Sequence, residues 1–252
     1  MHIHLKTPQY CNEIGRRSNN EDHIYPASSA TTSTNRLFLV CDGMGGHKDG
    51  EIASKTVTET IADYWITHNE PDTAQKVMNA IACAISEMDQ LVKHSNGDKG
   101  MGTTLTLVSI GTDSVLAAHV GDSRIYQIRP HVGIIYQSKD HSLVQRWVDA
   151  GILTQKEARN HPQSNIITQV IQPDGLNTIH PEVVNLNIED GDYIFLCTDG
   201  ITESIDDEKL VDIISNHISD DEKMEQIKQI CSEHSKDNYS AYLIPTTIIE
   251  SL

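Results

Sequence analysis

Two distant stretches of the chain share a design that few folds accommodate. Residues 37–50 read LFLVCDGMGGHKDG, and residues 193–200 read YIFLCTDG. Each is a run of apolar residues that stops abruptly at Asp-Gly, the pattern of a buried strand opening into a loop. Glycines follow again at Gly45 and Gly46, so nothing bulky stands beside Asp42 in sequence. If both strands lie in one core, Asp42 and Asp199 come side by side. Paired carboxylates at strand ends suit a hard divalent cation.

The rest of the composition narrows the partners. With 252 residues the chain has enough material for a substantial core and is read as one domain over 1–252. Nineteen Lys and Arg against 36 Asp and Glu give a formal net charge of -17. That balance argues against nucleic acid and against an anionic membrane as partner. No run approaches the about 18 apolar residues of a membrane span. The polar opening lacks the pattern of a signal peptide, so a cytoplasmic location is expected; the chain is taken as a monomer. Five cysteines form no C-x-x-C pair and read as reduced thiols. Thirteen histidines are scattered without metal-ligand spacing.

Taken in order, residues 11–25 read as a polar loop running into a strand, and residues 26–35, PASSATTSTN, as a small-residue connector. Asp49 can cap a helix whose apolar positions Ile52, Ala53, Val57, Ile61 and Trp65 recur at helical spacing, and a second amphipathic helix follows Pro71. Between Thr103 and Ile128 the period changes to two, which predicts an antiparallel meander, extended by a strand over 133–137. Helical spacing returns from Ser142, with Gly151 as a helix stop and a short helix over 154–160 that His161-Pro162 ends. Strands over 183–188 and 193–198, helices near 206–216 and 221–234, and a strand over 239–244 complete the reading. No internal repeat is visible.

The acids at strand ends or tight turns are Asp22, Asp42, Asp122, Asp199 and Asp237. One Asp beside a glycine is ordinary turn chemistry. Five, embedded in RSNNED (17–22), VCDGMGGHKDGEIAS (40–54), AHVGDSRIY (118–126), FLCTDGITE (195–203) and KDNYSAYLI (236–244), are more than that. With GMGTTLTLV (100–108) and the block over 139–169 that opens KDHSLVQ, they form seven collinear segments. The set resembles the metal-dependent protein phosphatases of the type 2C serine/threonine class, the PPM family, in its bacterial branch.

The resemblance implies an α+β fold, a central antiparallel β-sandwich of two sheets flanked by helical layers, with the metals at one end. It implies hydrolysis of phosphoserine and phosphothreonine by a metal-activated water attacking phosphorus in line. Phosphorylated proteins, including a serine/threonine kinase or its substrates, are the implied partners. Asp42 carries over as the carboxylate bridging two Mn²⁺ or Mg²⁺ ions, with the Gly43 carbonyl, Asp199 and Asp237 as further ligands. Asp22 falls where the family places an acid that holds metal-bound water; Asp122 joins Asp199 at a third, weaker ion. Arg17 matches the phosphate-binding arginine, whose guanidinium can grip two phosphoryl oxygens at once. Asn238 is expected to orient Asp237 through a hydrogen bond. Residues 142–172 match a flap over the site.

Two departures stand out. Eukaryotic relatives place an acid-donating His after the first Asp-Gly, where this chain has Met44, and a thioether donates no proton. His47 reads as a structural residue of the glycine-rich loop, leaving the proton to ion-bound water. ITQVIQPDG (167–175) lacks the Arg-Ala-Leu-Gly usual in the flap. Two other functions compete: a binding module that keeps the fold, and a phosphohydrolase acting on a small metabolite. Loss of metal carboxylates would mark the first, and all are present.

Overall fold

The computed structural model describes residues 2–45, 49–95 and 100–249. His47 lies outside them. Two six-stranded antiparallel sheets face each other. One sheet runs β10 (Glu182–Leu186), β7 (Val115–Val120), β6 (Leu105–Ile110), β4 (Leu37–Met44), β3 (Asp22–Tyr25), with β5 (Gly102–Thr103) on the end of β4. The other runs β1 (His2–Leu5), β12 (Tyr239–Ile249), β11 (Tyr193–Cys197), β8 (Arg124–Arg129), β9 (Gly133–Gln137), with β2 (Gln9–Glu13) also on β12.

The uninterrupted apolar runs follow from layering. In β4, Leu37, Leu39 and Cys41 pack against α1 (Asp49–Thr67) and α2 (Ala74–Ser95), whereas Phe38 and Val40 face the other sheet. In β11, Tyr193, Phe195 and Cys197 meet α6 (Asp207–Ser215) and α7 (Asp220–His234), whereas Ile194 and Leu196 face inward. A strand covered on both faces has no polar position to spare. The result is four layers, helix, sheet, sheet and helix, in which β4 and β11 share the central core.

The expected meander is divided. The β6–β7 and β8–β9 hairpins belong to different sheets, and the chain crosses between them at Gly121–Ser123. Period-two patterning fixes each strand but is blind to a change of sheet. The last strand also runs further than the pattern suggested. Pro245 pairs with Tyr193 at the start of β11, and β12 continues along β1 to Ile249. Strands β1 and β2 went unread because each is short and only its partner β12 identifies it.

Between β9 and β10 lie α3 (Leu143–Asp149) and α4 (Gln155–Arg159). Ser142 caps α3 by accepting from the Gln145 N–H, and Gly151 follows α3 with φ +71. Thr154 and Glu157 form a reciprocal capping box on α4. Of the described helices, none is long and apolar enough to cross a membrane.

Candidate metal centre

Side-chain alternation places the first two acids. Ile24 of β3 and Phe38 and Val40 of β4 face the space between the sheets. Two residues from Ile24 and Val40 respectively, Asp22 and Asp42 continue that face, and they are register partners. The core thus gives way to carboxylates where β3 and β4 meet at one end of the sandwich. The Asp42 backbone is pinned by Thr104, whose hydroxyl accepts the Asp42 N–H at 2.9 Å, and by Thr103, whose hydroxyl donates to the Asp42 carbonyl at 2.8 Å. Asp22 accepts from the Thr198 hydroxyl at 3.0 Å across the sandwich.

Gly43 stands where the end of β4 meets the start of α1. A Cβ there would overlap the carbonyls of Gly50 and Glu21, so only glycine fits. Glu21 accepts the Gly43 N–H at 3.0 Å through its own carbonyl. Met44 continues β4 opposite Gly102.

Asp199 and Asp237 come from the opposite sheet. Asp199 opens a short helix, α5 (Asp199–Thr202), directly after β11, and Asp237 precedes β12. Arg17 makes an ion pair of 2.5 Å with Asp237 while its side chain stays 56% exposed. The Asn238 backbone N–H, not its side chain, bonds the Asp237 carboxylate at 2.8 Å. The expected hydrogen bond to Asp237 is therefore present and comes from the backbone. The Asn238 side chain accepts the Glu21 N–H and donates to the carbonyls of Ile14 and Asn19, tying the loop that bears Arg17 and Asp22 to the start of β12.

Asp122 does not cap Arg124, as a plain turn aspartate would. Arg124 instead makes a two-pronged bond to Asp140, both contacts 2.7 Å, leaving Asp122 with a buried Oδ1 that has no hydrogen-bond partner. Asp199 Oδ1 is orphaned in the same way. Buried polar atoms are rarely left so.

The electrostatics agree. Burial, then Asp22, Asp199, Asp122 and Asp237, pushes the Asp42 carboxyl well above its ordinary range. Burial, then Asp199 and Asp140, does the same to Asp122. Asp199 rises to about 7 through burial, Glu203 and Asp237. Asp22 rises to about 8, mainly through burial, although hydrogen bonds from Ser240 and Thr198 pull the other way. Carboxylates that raise one another, unpaired oxygens and an all-oxygen donor set fit hard divalent cations.

The structure therefore gathers Asp22, Asp42, Gly43, Asp122, Asp199 and Asp237 at one end of the sandwich, with Arg17 at the rim. It also shows a cluster absent from the sequence reading. His119, His141 and Glu182 bring potential ligand atoms within 4.8 Å of one another. His119 and Glu182 are register partners on β7 and β10, and no spacing in the sequence signals the grouping.

Comparison with known proteins gives the family and the fold. The family model described as protein phosphatase 2C matches residues 12–232. Protein phosphatase PhpP of Streptococcus pneumoniae serotype 2 (strain D39 / NCTC 7466) is 36% identical over 218 residues, 84% of this chain and 85% of that protein. The crystal structure of the Mycobacterium tuberculosis serine/threonine phosphatase PstP/Ppp superposes with a TM-score of 0.84 at 27% identity, covering 97% of this chain and 99% of the other. The catalytic domain of PstP in complex with 2 manganese ions gives a TM-score of 0.83 at 26% identity, covering 98% and 100%. The chain belongs to the protein phosphatase 2C family and is a serine/threonine protein phosphatase.

Proposed function

We propose that the carboxylate cluster is the catalytic centre and holds Mn²⁺ or Mg²⁺ through Asp42, the Gly43 carbonyl, Asp199 and Asp237. Asp22 acts alongside them, and Asp122 with Asp199 takes a third, weaker ion. The observation that carries this reading is the pair of buried, partnerless oxygens on Asp122 and Asp199 among mutually repelling acids. When bound, such ions supply the Lewis acidity that activates water toward phosphorus and offset phosphoryl charge.

The chain's own residues do the rest. Arg17 is long, exposed and anchored at one end of its guanidinium by Asp237, so its remaining N–H donors can grip a phosphoryl oxygen. Asn238 holds the loop that carries Arg17 against the carboxylates. Met44, on the strand end beside Asp42, offers no proton, so the leaving alkoxide takes its proton from water and not from a side chain at that position.

The substrates of this reading are phosphoserine and phosphothreonine in cytoplasmic proteins, opposing a serine/threonine kinase, and residues 142–172 act as a flap that chooses among them. Release of phosphate from a phosphothreonine peptide, measured with Mn²⁺ and with chelator, tests it. Turnover confined to the Mn²⁺ sample is expected. Equal turnover in chelator would refute the ion sites, and turnover of phosphorylated metabolites alone would refute the substrate class.

A further inference from the structure

The His119, His141 and Glu182 cluster has the composition of a metal site, but its hydrogen bonds forbid one. Gly121 donates its backbone N–H to His141 Nδ1 at 3.1 Å, so the neutral ring carries its proton on Nε2 and has no lone pair left there. His119 donates through Nε2 to the Lys139 carbonyl at 2.8 Å. The two rings stack face to face, centroids 4.6 Å apart and 20° from parallel, so their in-plane lone pairs cannot converge on one ion. The cluster is a support.

What it supports is the turn that bears Asp122. The His141 backbone N–H also donates to the Gly121 carbonyl at 2.8 Å, so this one residue bonds both polar groups of Gly121. Gly121 has φ +99, in the left-handed region, and a Cβ there would strike Thr104. Flanking bonds reinforce the clamp: Lys139 engages His119 before the turn and Asp140 engages Arg124 after it. The Asp122 side chain is repelled by Asp199 and Asp140, and its buried Oδ1 has no partner. Arg124 and the Asp122 backbone N–H offset part of that repulsion, and the turn sets the direction in which the carboxylate points.

His141 reaches the other way as well. Its carbonyl accepts the Thr168 N–H at 2.6 Å, and Ser142 pairs with Ile167 beside it. Both legs of the segment containing α3 and α4 meet at the residue that clamps Gly121.

We propose that His141 is a positioning residue that aims Asp122 at the weaker ion site and ties that aim to the roots of the 142–172 segment. The proposal rests on the reading of Asp122 and Asp199 as holders of a weaker ion. Two substitutions separate aim from bulk. In His141→Asn the Oδ1 atom takes the place of Nδ1 and still accepts from Gly121. In His141→Gln the amide lies further out, near the position of Nε2, and that acceptor is lost. Mn²⁺ binding to the whole protein is titrated by calorimetry, alongside kcat and KM on a phosphothreonine peptide.

The Gln variant is expected to lose about tenfold in weak-site affinity, the equivalent of one lost hydrogen bond, with the tight sites and KM unchanged. Its kcat should recover as Mn²⁺ is raised, and the Asn variant should stay within about twofold of wild type. Wild-type affinity in the Gln variant, or equal losses in both, would overturn the proposal. A wild-type protein that binds no weaker ion would overturn the underlying reading and the proposal with it, a result visible before any variant is made. Exchange of the Gly121 amide in the wild type gives a measurement independent of variant folding. It should slow when the weaker ion is added, and an unchanged rate would also overturn the proposal.

Discussion

Asp199→Asn should stabilise the metal-free protein while destroying its activity. In the absence of metal, the Asp199 carboxyl stands at about 7 against an ordinary 3.8, because burial and the neighbouring Glu203 and Asp237 oppose its charge. A group whose folded pKa is raised contributes fully below its unfolded pKa, and that contribution is lost as pH rises through the folded one. The gap between about 7 and 3.8, at about 1.36 kcal/mol for each pH unit, corresponds to roughly 4 kcal/mol of destabilisation at pH 8. Asn keeps the shape and cannot ionise, so the variant escapes this loss.

Because neighbouring acids share the repulsion, urea unfolding in chelator at pH 8 should show the variant about 2–4 kcal/mol more stable than wild type, the difference shrinking below about 1 kcal/mol at pH 4. Adding Mn²⁺ should then raise the wild-type midpoint much more than the variant's. Turnover should fall more than about a hundredfold, since a ligand charge is gone. A variant no more stable than wild type at pH 8 in chelator would refute the claim that these carboxylates strain the metal-free fold.

Three further outcomes follow from the same geometry. In chelator, wild-type thermal stability should decline from about pH 5 to about pH 8, as Asp199 and then Asp22, raised to about 7 and about 8, lose their protons; saturating Mn²⁺ should flatten the slope, and a rising slope in chelator would contradict the shifts. Arg17→Ala should leave unfolding within about 0.5 kcal/mol, because the side chain is 56% exposed, yet raise KM for a phosphopeptide about tenfold; steady-state kinetics with an unchanged KM would remove Arg17 from phosphate binding. Asn238→Ala breaks hydrogen bonds to Ile14, Asn19 and Glu21 and should destabilise by about 2–4 kcal/mol in urea unfolding.

Much of this was legible because the covering of the strands is written in composition. The apolar runs ending at Asp42 and Asp199 announce strands buried on both faces, and the structure shows helices on one side of each and a sheet on the other. The helices from Asp49 to Thr67 and from Ala74 to Ser95 follow directly from their spacing. What escaped depends on pairings between distant residues. The crossing at Gly121–Ser123 leaves no trace in a period-two pattern. The Asn238 bonds to residues 14, 19 and 21 join parts of the chain more than 200 positions apart. The stacking of His119 on His141 likewise requires the fold before it exists.

The crossing is also where function and fold meet. A strand pair that stayed in one sheet would turn between β7 and β8 by the shortest route and leave its turn at the sheet edge. Here the chain leaves β7 in one sheet and enters β8 in the other, so Asp122 spans the end of the sandwich between the two sheets that deliver Asp42 and Asp199. Thr104 and Ser123 share a buried hydroxyl contact of 2.7 Å under that turn, binding the crossing to the backbone of Asp42, which Thr104 also holds. Acids brought together this way repel one another, and the ion pair of Arg17 with Asp237, the pull of Arg124 on Asp122 and the Thr198 hydrogen bond to Asp22 offset only part of that repulsion. Their repulsion is sustained by the packing of both sheets behind them, whose inward residues Phe38, Val40, Ile194, Leu196 and Tyr242 are fully buried. The sandwich therefore holds its end open to cations by the strength of its middle.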